Sequence, residues 1–569
     1  MASRRFLLGV LVLVVSLPLA AQVSFNSTTY SAPANTSPGY TISADIDRDG
    51  NPDVISTDGN PQLLVWYGTG AGKFGSAEII GNLDGPPGDI AVGDFNGDGK
   101  LDIVTTTGQS QAIDVLINDG NRSFSKSSIS TADWPSNIAV ADFNHDGKLD
   151  LAVSFYKLAT ATNYIQIHFG NGDGSFTAGS QTLQLPYEQA YYVFTRDLNK
   201  DGKVDLLDVG SPATIFLNNG DGTFTASQTL TPPGGGTYTY GAIGDFNGDT
   251  APDLFLTNNQ FCGEGCGWIM SLDSWVNDGT GHFTLKQSLQ PVNASSVNSG
   301  VLGDLNYDGK LDMVFWADNT LEYALGKGTG SFNPAQQWGP LNAPYGGYYN
   351  PILAHDLNNN GLSDVVSTDA DSIQVLLNTT AKPDCVPPNS SSIGATVCSL
   401  VSGQKVNSTF PVRAAANGPV DIWRMEEWLD GKKVYQALSN QLRNNLTTTV
   451  GSHTLTISTV DVLNNVAKKT VSFTAISCTA PASAGVRICI PASGSTDSSP
   501  VSVVAASSPA SGTSIVSVRL YVDSVAKYTT SGSRMSTSVS LSAGTHHLSV
   551  VAYEKNGGAL KTSETITVH

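Results

Sequence analysis

The sequence predicts an all-β protein, in which a seven-bladed β-propeller is followed by two β-sandwich domains. A nine-residue acidic motif occurs seven times, and successive copies start 48 to 59 residues apart. Repeats of this length with strand-like flanks are typical of propellers and solenoids. Two later units of about 90 residues each open with a close cysteine pair, and short alternating strands of that length favour a sandwich. The 58 glycines, together with little helical periodicity after the first twenty residues, agree with many short strands.

The N-terminal residues 1–21 have the pattern of a secretory signal peptide. Arg4 and Arg5 precede an apolar run from Phe6 to Leu17, and small residues lead to an expected cleavage site after Ala21. A retained membrane anchor is the alternative, but the run is shorter than the ~20 residues that a membrane span needs. No cysteine lies at the cleavage site, so no lipid anchor is expected there. We therefore expect a secreted protein, located outside the cell, in a periplasm or at a cell surface.

The six cysteines fall into three pairs that are close in sequence: Cys262/Cys266, Cys385/Cys398 and Cys478/Cys489. Six cysteines allow fifteen connectivities, and proximity favours these three disulfides. Zinc binding is the competing interpretation, but no histidine lies at ligand spacing from any pair. Disulfides agree with an oxidising compartment.

The formal net charge is −19, which argues against nucleic acid and anionic membrane as partners. We expect a monomer with no membrane span.

The acidic motif places oxygen-bearing side chains at its positions 1, 3, 5 and 9, and usually glycine at position 6. Oxygen ligands around a sharp turn suit a hard cation that accepts six to eight oxygens, and calcium is the expected ion, up to seven in all. A backbone carbonyl at position 7 would add a ligand. The candidate ligands are Asp45, Asp47, Asp49 and Asp53; Asp94, Asn96, Asp98 and Asp102; Asp142, Asn144, Asp146 and Asp150; Asp197, Asn199, Asp201 and Asp205; Asp245, Asn247, Asp249 and Asp253; Asp304, Asn306, Asp308 and Asp312; Asp356, Asn358, Asn360 and Asp364.

An EF-hand and a metal-free turn are the two alternatives for this motif. An EF-hand needs an acidic ligand at position 12 and flanking helices, but six of the seven copies have no acid there and strands follow. Metal-free turns, held by Asp and Asn side chains bonded to the backbone, stay open as an alternative.

Each acidic loop is followed by a strand, a variable loop, a second strand and a glycine-rich hairpin that ends in phenylalanine, as in DGNRSF at 119–124. Strands joined by Gly, Asn and Asp turns form antiparallel hairpins, so each repeat supplies a four-stranded blade. The seventh repeat stops at 376–380 without its last element. The segment that begins at Val23 can supply it, and we expect both ends to share the last blade and close the ring.

Residues 23–380 resemble the FG-GAP/VCBS repeat family, which includes the propeller of integrin alpha chains. The resemblance implies calcium in the loop between the first two strands of each blade, and ligand binding at the opposite face. Two loops depart from the pattern, because Thr250 replaces the turn glycine and Asn360 replaces the third acidic ligand. The fifth and seventh sites are therefore expected to be weaker.

The rest of the chain starts with a Pro/Ser-rich boundary at 381–392. We place the propeller at 22–380 and the two sandwiches at 381–477 and 478–569. These units resemble bacterial Ig-like domains, which are commonly spacers. His453 and His546 each begin a strand after a turn, so a structural role is expected for both.

Aromatic residues are concentrated in the loops that the topology places opposite the calcium loops. Tyrosine and tryptophan combine an apolar face with a polar edge, which suits stacking on sugars or binding a protein. We expect the Cys262–Cys266 disulfide to hold Trp268 in place. Packing between blades, or filling of the central channel, is the alternative for any one of these residues. The candidates are Trp134, Tyr187, Tyr191, Tyr192, Tyr238, Tyr240, Trp268, Tyr345, Tyr348 and Tyr349, with Tyr40 nearby.

The sequence contains no converging catalytic set. The eight histidines are scattered and no GxSxG, HExxH or P-loop motif occurs. We therefore expect a non-enzymatic, calcium-stabilised binding or adhesion protein with an aromatic face for a glycan or protein. A polysaccharide lyase-like enzyme on the same scaffold, and an architectural envelope or matrix protein, are the alternatives.

Overall fold

The computed structural model of the chain describes residues 23–185, 192–261, 268–292, 294, 297–306, 308–318, 320–338, 352–380, 385–389 and 391–569. Regular structure in these residues is β-strand, apart from two short 3₁₀ turns at Gly108–Ser110 and Pro233–Gly235. The signal-peptide prediction and the Cys262/Cys266 pair lie outside the described residues.

The first part of the chain forms seven four-stranded sheets within the described residues. Its strands, in chain order, are β1 (Phe25–Ser31), β2 (Pro38–Ala44), β3 (Asp53–Asp58), β4 (Leu63–Trp66), β5 (Gly68–Gly70), β6 (Lys73–Phe74), β7 (Glu78–Ile80), β8 (Ile90–Gly93), β9 (Asp102–Thr107), β10 (Ala112–Gly120), β11 (Ser123–Ser130), β12 (Trp134–Ala141), β13 (Asp150–Lys157), β14 (Thr162–Gly170), β15 (Phe176–Gln184), β16 (Tyr192–Arg196), β17 (Asp205–Val209), β18 (Ala213–Asn218), β19 (Phe224–Leu230), β20 (Thr237–Gly244), β21 (Asp253–Phe261), β22 (Trp268–Asn277), β23 (Phe283–Leu289), β24 (Val297–Gly303), β25 (Asp312–Ala317), β26 (Thr320–Ala324), β27 (Gln336–Gln337), β28 (Ile352–His355), β29 (Asp364–Asp369) and β30 (Ser372–Asn378).

Each sheet is an antiparallel meander of one repeat, as the hairpin pattern predicts. The sheet orders are β2-β3-β4-β7, β8 to β11, β12 to β15, β16 to β19, β20 to β23, β24 to β27 and β28-β29-β30-β1. The last sheet joins the two ends of the region, because β1 pairs with β30 from Phe25 opposite Asn378 to Ser31 opposite Ser372. The predicted pairing of the N-terminal strand with the last repeat is thus confirmed.

The sheets pack face to face, and this arrangement buries the second strand of each. Strands β3, β9, β17 and β25 are buried at every residue, because a neighbouring sheet covers each of their faces. One apolar cluster, for example, joins Phe143 beside the third sheet to Leu206 and Phe216 of the fourth. Four-stranded sheets stacked in this way are the blades of a β-propeller.

A cavity of about 450 Å³ lies at the centre of the sheets. It is lined by the first strand of every sheet, namely β2, β8, β12, β16, β20, β24 and β28. These inner strands run from the end of the cavity near Tyr40 and Tyr192 towards Ala44 and Arg196, where the acidic loops begin.

The remainder of the chain forms two pairs of sheets with the same topology. The first pair is β31-β33-β36 with β32-β38-β37-β34-β35, and the second is β39-β41-β44 with β40-β46-β45-β42-β43. Their strands are β31 (Gly394–Val397), β32 (Gln404–Asn407), β33 (Thr409–Asn417), β34 (Ile422–Leu429), β35 (Lys432–Ala437), β36 (Gln441–Thr447), β37 (Gly451–Asp461), β38 (Val466–Ile476), β39 (Gly485–Ile490), β40 (Thr496–Asp497), β41 (Val501–Ser508), β42 (Ile515–Val522), β43 (Val525–Ser531), β44 (Arg534–Val539), β45 (Gly544–Glu554) and β46 (Ala559–Val568).

Each sheet pair encloses its own apolar core, so each is a β-sandwich. Val412 of β33 meets Met425 and Ile457 in the first, and Val503 of β41 meets Leu520 in the second. Disulfides Cys385–Cys398 and Cys478–Cys489 are present at the starts of the two units. Two of the three predicted cysteine pairs are therefore confirmed, which rejects zinc at these four residues.

Candidate cation sites and the aromatic rim

The seven acidic loops occupy the same position in all seven sheets. Each begins with the residue that follows the first strand and ends with the residue that opens the second, so Asp94 follows β8 and Asp102 opens β9. Since the first strands line the central cavity, all loops lie at one end of it. The geometry therefore gathers the acidic side chains at one end of the propeller.

Side-chain oxygens within each loop accept hydrogen bonds from the loop backbone. In the third loop, the amide of Asp146 donates to Asp142 Oδ1 at 3.1 Å and to Asn144 Oδ1 at 2.9 Å. Gly147 N–H donates to Asp142 Oδ2 at 2.9 Å, and Lys148 N–H to Asp146 Oδ1 at 2.9 Å. These bonds fix positions 1, 3 and 5 around the same few amides. A carboxylate oxygen has two lone pairs, so each oxygen can still coordinate a cation.

The first loop brings three carboxylates together. Asp45, Asp47 and Asp49 each offer an oxygen, and these oxygens lie within 4.8 Å of one another. Asp45 is 1% exposed, and its Oδ1 has no hydrogen-bond partner. Arg122 from the next sheet binds Asp47 Oδ2 at 2.7 Å. An all-oxygen donor set with an orphaned buried oxygen fits calcium, which needs several oxygens and neutralises their charge.

The other six loops have asparagine at position 3, so none can form the same triple of carboxylates. At position 7, lysine side chains approach the aspartate at position 5. Lys310 Nζ lies 3.1 Å from Asp308 Oδ2, and Lys203 Nζ lies 3.4 Å from Asp201 Oδ2. These exposed pairs contribute little stability in water.

The aspartate at position 9 has a structural role that the sequence pattern did not reveal. In the third sheet, Asp150 Oδ2 accepts Phe143 N–H at 2.9 Å and Oδ1 accepts Gly170 N–H at 2.8 Å. The same two bonds occur in all seven sheets, where one oxygen holds the loop and the other holds the end of the third strand. The equivalent residues are Asp53, Asp102, Asp205, Asp253, Asp312 and Asp364.

Burial raises the pKa of these position-9 carboxyls. The pKa rises to about 8 for Asp53 and Asp312, to about 7 for Asp205 and Asp253, and to about 6 for Asp102 and Asp150. Like charges add to the effect of burial; they stand at positions 1 and 3 for Asp53, and at positions 1 and 5 for the other five. A bound cation would lower these pKa values again, because a nearby positive charge favours the ionised carboxylate.

The two irregular loops keep the common backbone path. Thr250 has φ of 70°, in the left-handed region where the other loops have glycine at position 6. For a β-branched residue this conformation is strained. Asn360 Oδ1 accepts Leu362 N–H at 2.7 Å, as the aspartate does elsewhere, so only a negative charge is lost there.

A set of asparagines that sequence reasoning missed ties neighbouring sheets together at the acidic loops. Asn118 Nδ2 donates to Ile46 O of the preceding sheet at 2.8 Å, and Asn277 Nδ2 donates to Leu198 O at 2.7 Å. Asn218 and Asn378 make the equivalent bonds. The signal was visible, because in these repeats an asparagine directly follows the apolar third strand, as in LIN and LLN.

The first sandwich closes the cavity at the end where the acidic loops lie. Val420 and Asp421, with Val462 and Leu463 from a second loop, complete the cavity lining. Val420 is buried in the apolar cluster of the first two sheets. Asp421 Oδ1 lies 2.6 Å from His355 Nδ1.

Three tyrosines cluster at the other end of the cavity. The rings of Tyr192 and Tyr240 are 4.8 Å apart, and those of Tyr40 and Tyr192 are 5.9 Å apart. Both contacts are edge-on, and Tyr192 and Tyr240 are half-buried. We call this cluster the aromatic rim.

The remaining predicted ligand residues fall into three groups. Tyr238 is a correction: it is fully buried in the core between sheets and its hydroxyl donates to Asp273 at 3.2 Å, because its strand turns this side chain inwards. Trp134 is half-buried, with its ring 6.3 Å from that of Tyr156. The third group lies outside the described side chains, and it consists of Tyr187, Tyr191, Trp268, Tyr345, Tyr348 and Tyr349.

The repeats match the sequence model of the FG-GAP-like repeat at residues 45–105, 94–153, 208–256 and 304–367. No curated protein matches the chain.

Distant solved structures are also similar. One is a lectin of Agrocybe aegerita described as recognising non-reducing terminal N-acetylglucosamine, with 20% identity over 53% of this chain and 80% of the lectin, and a TM-score of 0.39. Another is BBS1N in complex with ARL6DN, with 9% identity over 62% of this chain and 96% of that chain, and a TM-score of 0.40. The fibronectin(III)-like modules of Clostridium thermocellum CbhA give 17% identity over 31% of this chain and 94% of theirs, with a TM-score of 0.15.

Proposed function

Four stretches of the chain match the FG-GAP-like repeat, and we propose that the chain is a secreted, non-enzymatic binding protein of the FG-GAP β-propeller family. Its seven-bladed propeller is stabilised by calcium in the acidic loops and presents the opposite, aromatic rim to a glycan or an extracellular protein. The two sandwiches are Ig-like modules that support the propeller.

The two ends of the central cavity differ in accessibility, and this difference indicates where a ligand binds. The first sandwich fills the end of the central cavity at the acidic loops with Val420 and Leu463, so among the described residues the other end is the one left for a ligand. Tyr40, Tyr192 and Tyr240 lie there. The predicted aromatic loops at 186–192 and 344–349 adjoin this end in sequence.

The two disulfides of the sandwiches support secretion. The disulfides Cys385–Cys398 and Cys478–Cys489 persist in oxidising compartments. Within the described residues, no helix is long and apolar enough to cross a membrane.

The binding proposal is tested by screening the purified protein, in calcium, on glycan arrays and against extracellular proteins. A hit should weaken at least about tenfold with Tyr192→Ala and Trp268→Ala, because stacked aromatics dominate such contacts. Tyr521→Ala on the second sandwich is the matched control and should keep full affinity. Binding that is unchanged in both variants, or absent from every screen, would reject the aromatic end of the cavity as the binding surface.

The calcium proposal has a separate test. Chelation with EDTA should lower Tm markedly, since each cation bound only by the folded state adds about 2.7 kcal/mol at a concentration ~100 times its Kd. Asp98→Ala should reduce the calcium-dependent part of this shift, whereas Asp119→Ala, an exposed aspartate of the same sheet, should not. Identical melting curves with and without chelator would contradict the assignment.

A further inference from the structure

The acidic loops differ in how deeply their first aspartate is buried. Asp45, Asp304 and Asp356 are 1%, 7% and 4% exposed, whereas the corresponding aspartates of the second to fifth loops are half-exposed. The first, sixth and seventh loops are neighbours, because β28 of the seventh sheet packs between β24 and β2. The loops thus divide into one contiguous buried group and one accessible group.

The cover over the buried group is the first sandwich with its linker. The amide of Asp45 donates to Pro419 O at 2.9 Å. At the seventh loop, Gln441 Nε2 donates to Gly361 O at 3.2 Å, and Asn417 bonds the side chain of Asn359.

The first and sixth loops have further sandwich and linker neighbours. A Cβ added at Gly50 would lie 3.2 Å from Asn389 Nδ2 of the linker, and one at Gly309 would lie 3.7 Å from Arg443 of the sandwich. The linker therefore approaches Gly50 closely, whereas the sandwich lies at ordinary contact distance from Gly309.

Under this cover, one carboxylate oxygen of the described residues is buried without a hydrogen-bond partner. Asp45 Oδ1 has no hydrogen-bond partner although Asp45 is buried, and it belongs to the triple of carboxylates in the first loop. Burying unpaired carboxylates opposes docking of the sandwich, because charge loses its hydration. A cation bound in the loop would neutralise these carboxylates and so remove this cost of docking.

We propose that the first, sixth and seventh loops form a closed class of cation sites, whose occupancy and the docking of the first sandwich stabilise each other. The second and third loops form an open class that exchanges ions independently of the sandwich. The fourth and fifth loops share cavities with Trp423 and Tyr435 of the sandwich, so they lie between the two classes. Since coupling is reciprocal, the docked sandwich holds the closed ions more tightly, and those ions hold the sandwich in place. The inference rests on the proposed calcium sites.

Release of calcium from the full-length protein into a fluorescent chelator, followed by stopped flow, tests the division. Two phases are expected, a fast one from the open loops and a slow one from the closed loops. Asp356→Ala should reduce the slow amplitude, and Asp98→Ala the fast one.

Val420→Asp should undock the sandwich and accelerate the slow phase at least about tenfold, within the ~5–150-fold range of coupled sites. Val401→Asp, at a residue of the same sandwich that is 51% exposed, is the matched control and should keep both phases. Gln441→Ala removes one buried hydrogen bond of the cover, the bond to Gly361 O, and should give a milder acceleration. It keeps the test valid if Val420→Asp misfolds. Amide exchange of residues 417–423 should slow on calcium addition in the wild type.

The outcomes separate the two proposals. Bound calcium that leaves in one phase, or a slow phase unaffected by both Val420→Asp and Gln441→Ala, would overturn the closed class while leaving the calcium sites intact. A protein that binds no calcium would refute the underlying assignment instead.

Discussion

The guanidinium of Arg196 lies 4.6 Å from the centre of the Trp423 ring, so a cation of the propeller stacks on an aromatic side chain of the first sandwich. Arg196 Nη1 donates to Thr195 O at 2.8 Å, and its Nε has no hydrogen-bond partner. Burial lowers the pKa of Arg196 to about 10, which leaves it charged at neutral pH. It shares a cavity of about 170 Å³ with Asp304, Asp356 and Asp421.

Arg196 should therefore contribute most to stability when the acidic loops hold no cation. Arg196→Gln is expected to lower stability by about 1 kcal/mol in EDTA, the scale of a cation–π contact, and by less in calcium, because bound ions then offset the same carboxylates. Thermal melts of the variant with and without chelator measure the difference. Arg487→Gln, where the arginine bonds Thr479 Oγ1 at 3.0 Å on the second sandwich, should show no such dependence. An equal loss in both buffers would contradict this account of Arg196.

The two roles of aspartate in the loops can be separated by position. Asp150→Asn leaves one of two backbone amides without an acceptor, since an amide group offers a single oxygen, and should cost about 1–3 kcal/mol even in EDTA. In Asp146→Asn, the amide oxygen still accepts Lys148 N–H, so the loop keeps this hydrogen bond. The free energy of unfolding should therefore fall in the calcium buffer and stay unchanged in EDTA. Urea unfolding of both variants, with and without chelator, makes the comparison. If Asp150→Asn left the free energy of unfolding unchanged in EDTA, the structural role assigned to position 9 would be wrong.

The irregular fifth loop offers a stabilising substitution. Thr250 holds φ of 70° at the position where six other loops have glycine. Thr250→Gly should raise the free energy of unfolding by about 1–2 kcal/mol, because the left-handed conformation penalises a branched side chain. Thr229→Gly, at an exposed residue of β19, should instead destabilise by about 0.5–1 kcal/mol. Loss of stability in Thr250→Gly would show that the contacts of Thr250 with Lys200 outweigh the strain.

The repeat pattern was sufficient to predict the sheets and where the loops lie. Asp94 and Asp102 frame a loop in the sequence, and the structure places them at the end of β8 and the start of β9. The pairing of β1 with β30 was also predictable, since the seventh repeat lacked one strand. Local spacing carries this information because six of the seven sheets are each built from one continuous stretch of chain, and only the last combines the two ends.

Contacts between distant parts of the chain were not predictable in the same way. Nothing near Asp45 in sequence signals that Pro419 will cover it, and the burial of Tyr238 depends on which face of β20 meets the next sheet. The role of Asp150 was hidden for a different reason, because a carboxylate that accepts two amides and one that binds a cation have the same sequence pattern.

Equivalent histidines in the two sandwiches predict a pH dependence. His453 Nδ1 lies 2.7 Å from Asp430 Oδ2 and its Nε2 lies 2.9 Å from Thr449 O. His546 Nδ1 lies 2.7 Å from Asp523 Oδ2 and its Nε2 lies 2.9 Å from Ser542 O. All four partners are acceptors, so both ring nitrogens must donate and the imidazolium form is favoured. The hydrogen bond that each imidazole donates to its carboxylate raises the pKa of both histidines above the ordinary value of 6.5.

Because the folded pKa is raised, folding takes up protons between the unfolded and the folded pKa. The stabilisation is complete below about pH 6.5 and disappears as pH rises through the folded pKa. Urea unfolding should therefore show the wild type losing more stability between pH 6 and pH 9 than the double variant His453→Gln/His546→Gln, since glutamine does not titrate over that range. His547→Gln is the control, because His547 Nδ1 faces Thr565 Oγ1 rather than a carboxylate, and it should retain the wild-type slope. If the double variant keeps that slope as well, the two histidine–aspartate pairs do not couple protonation to folding.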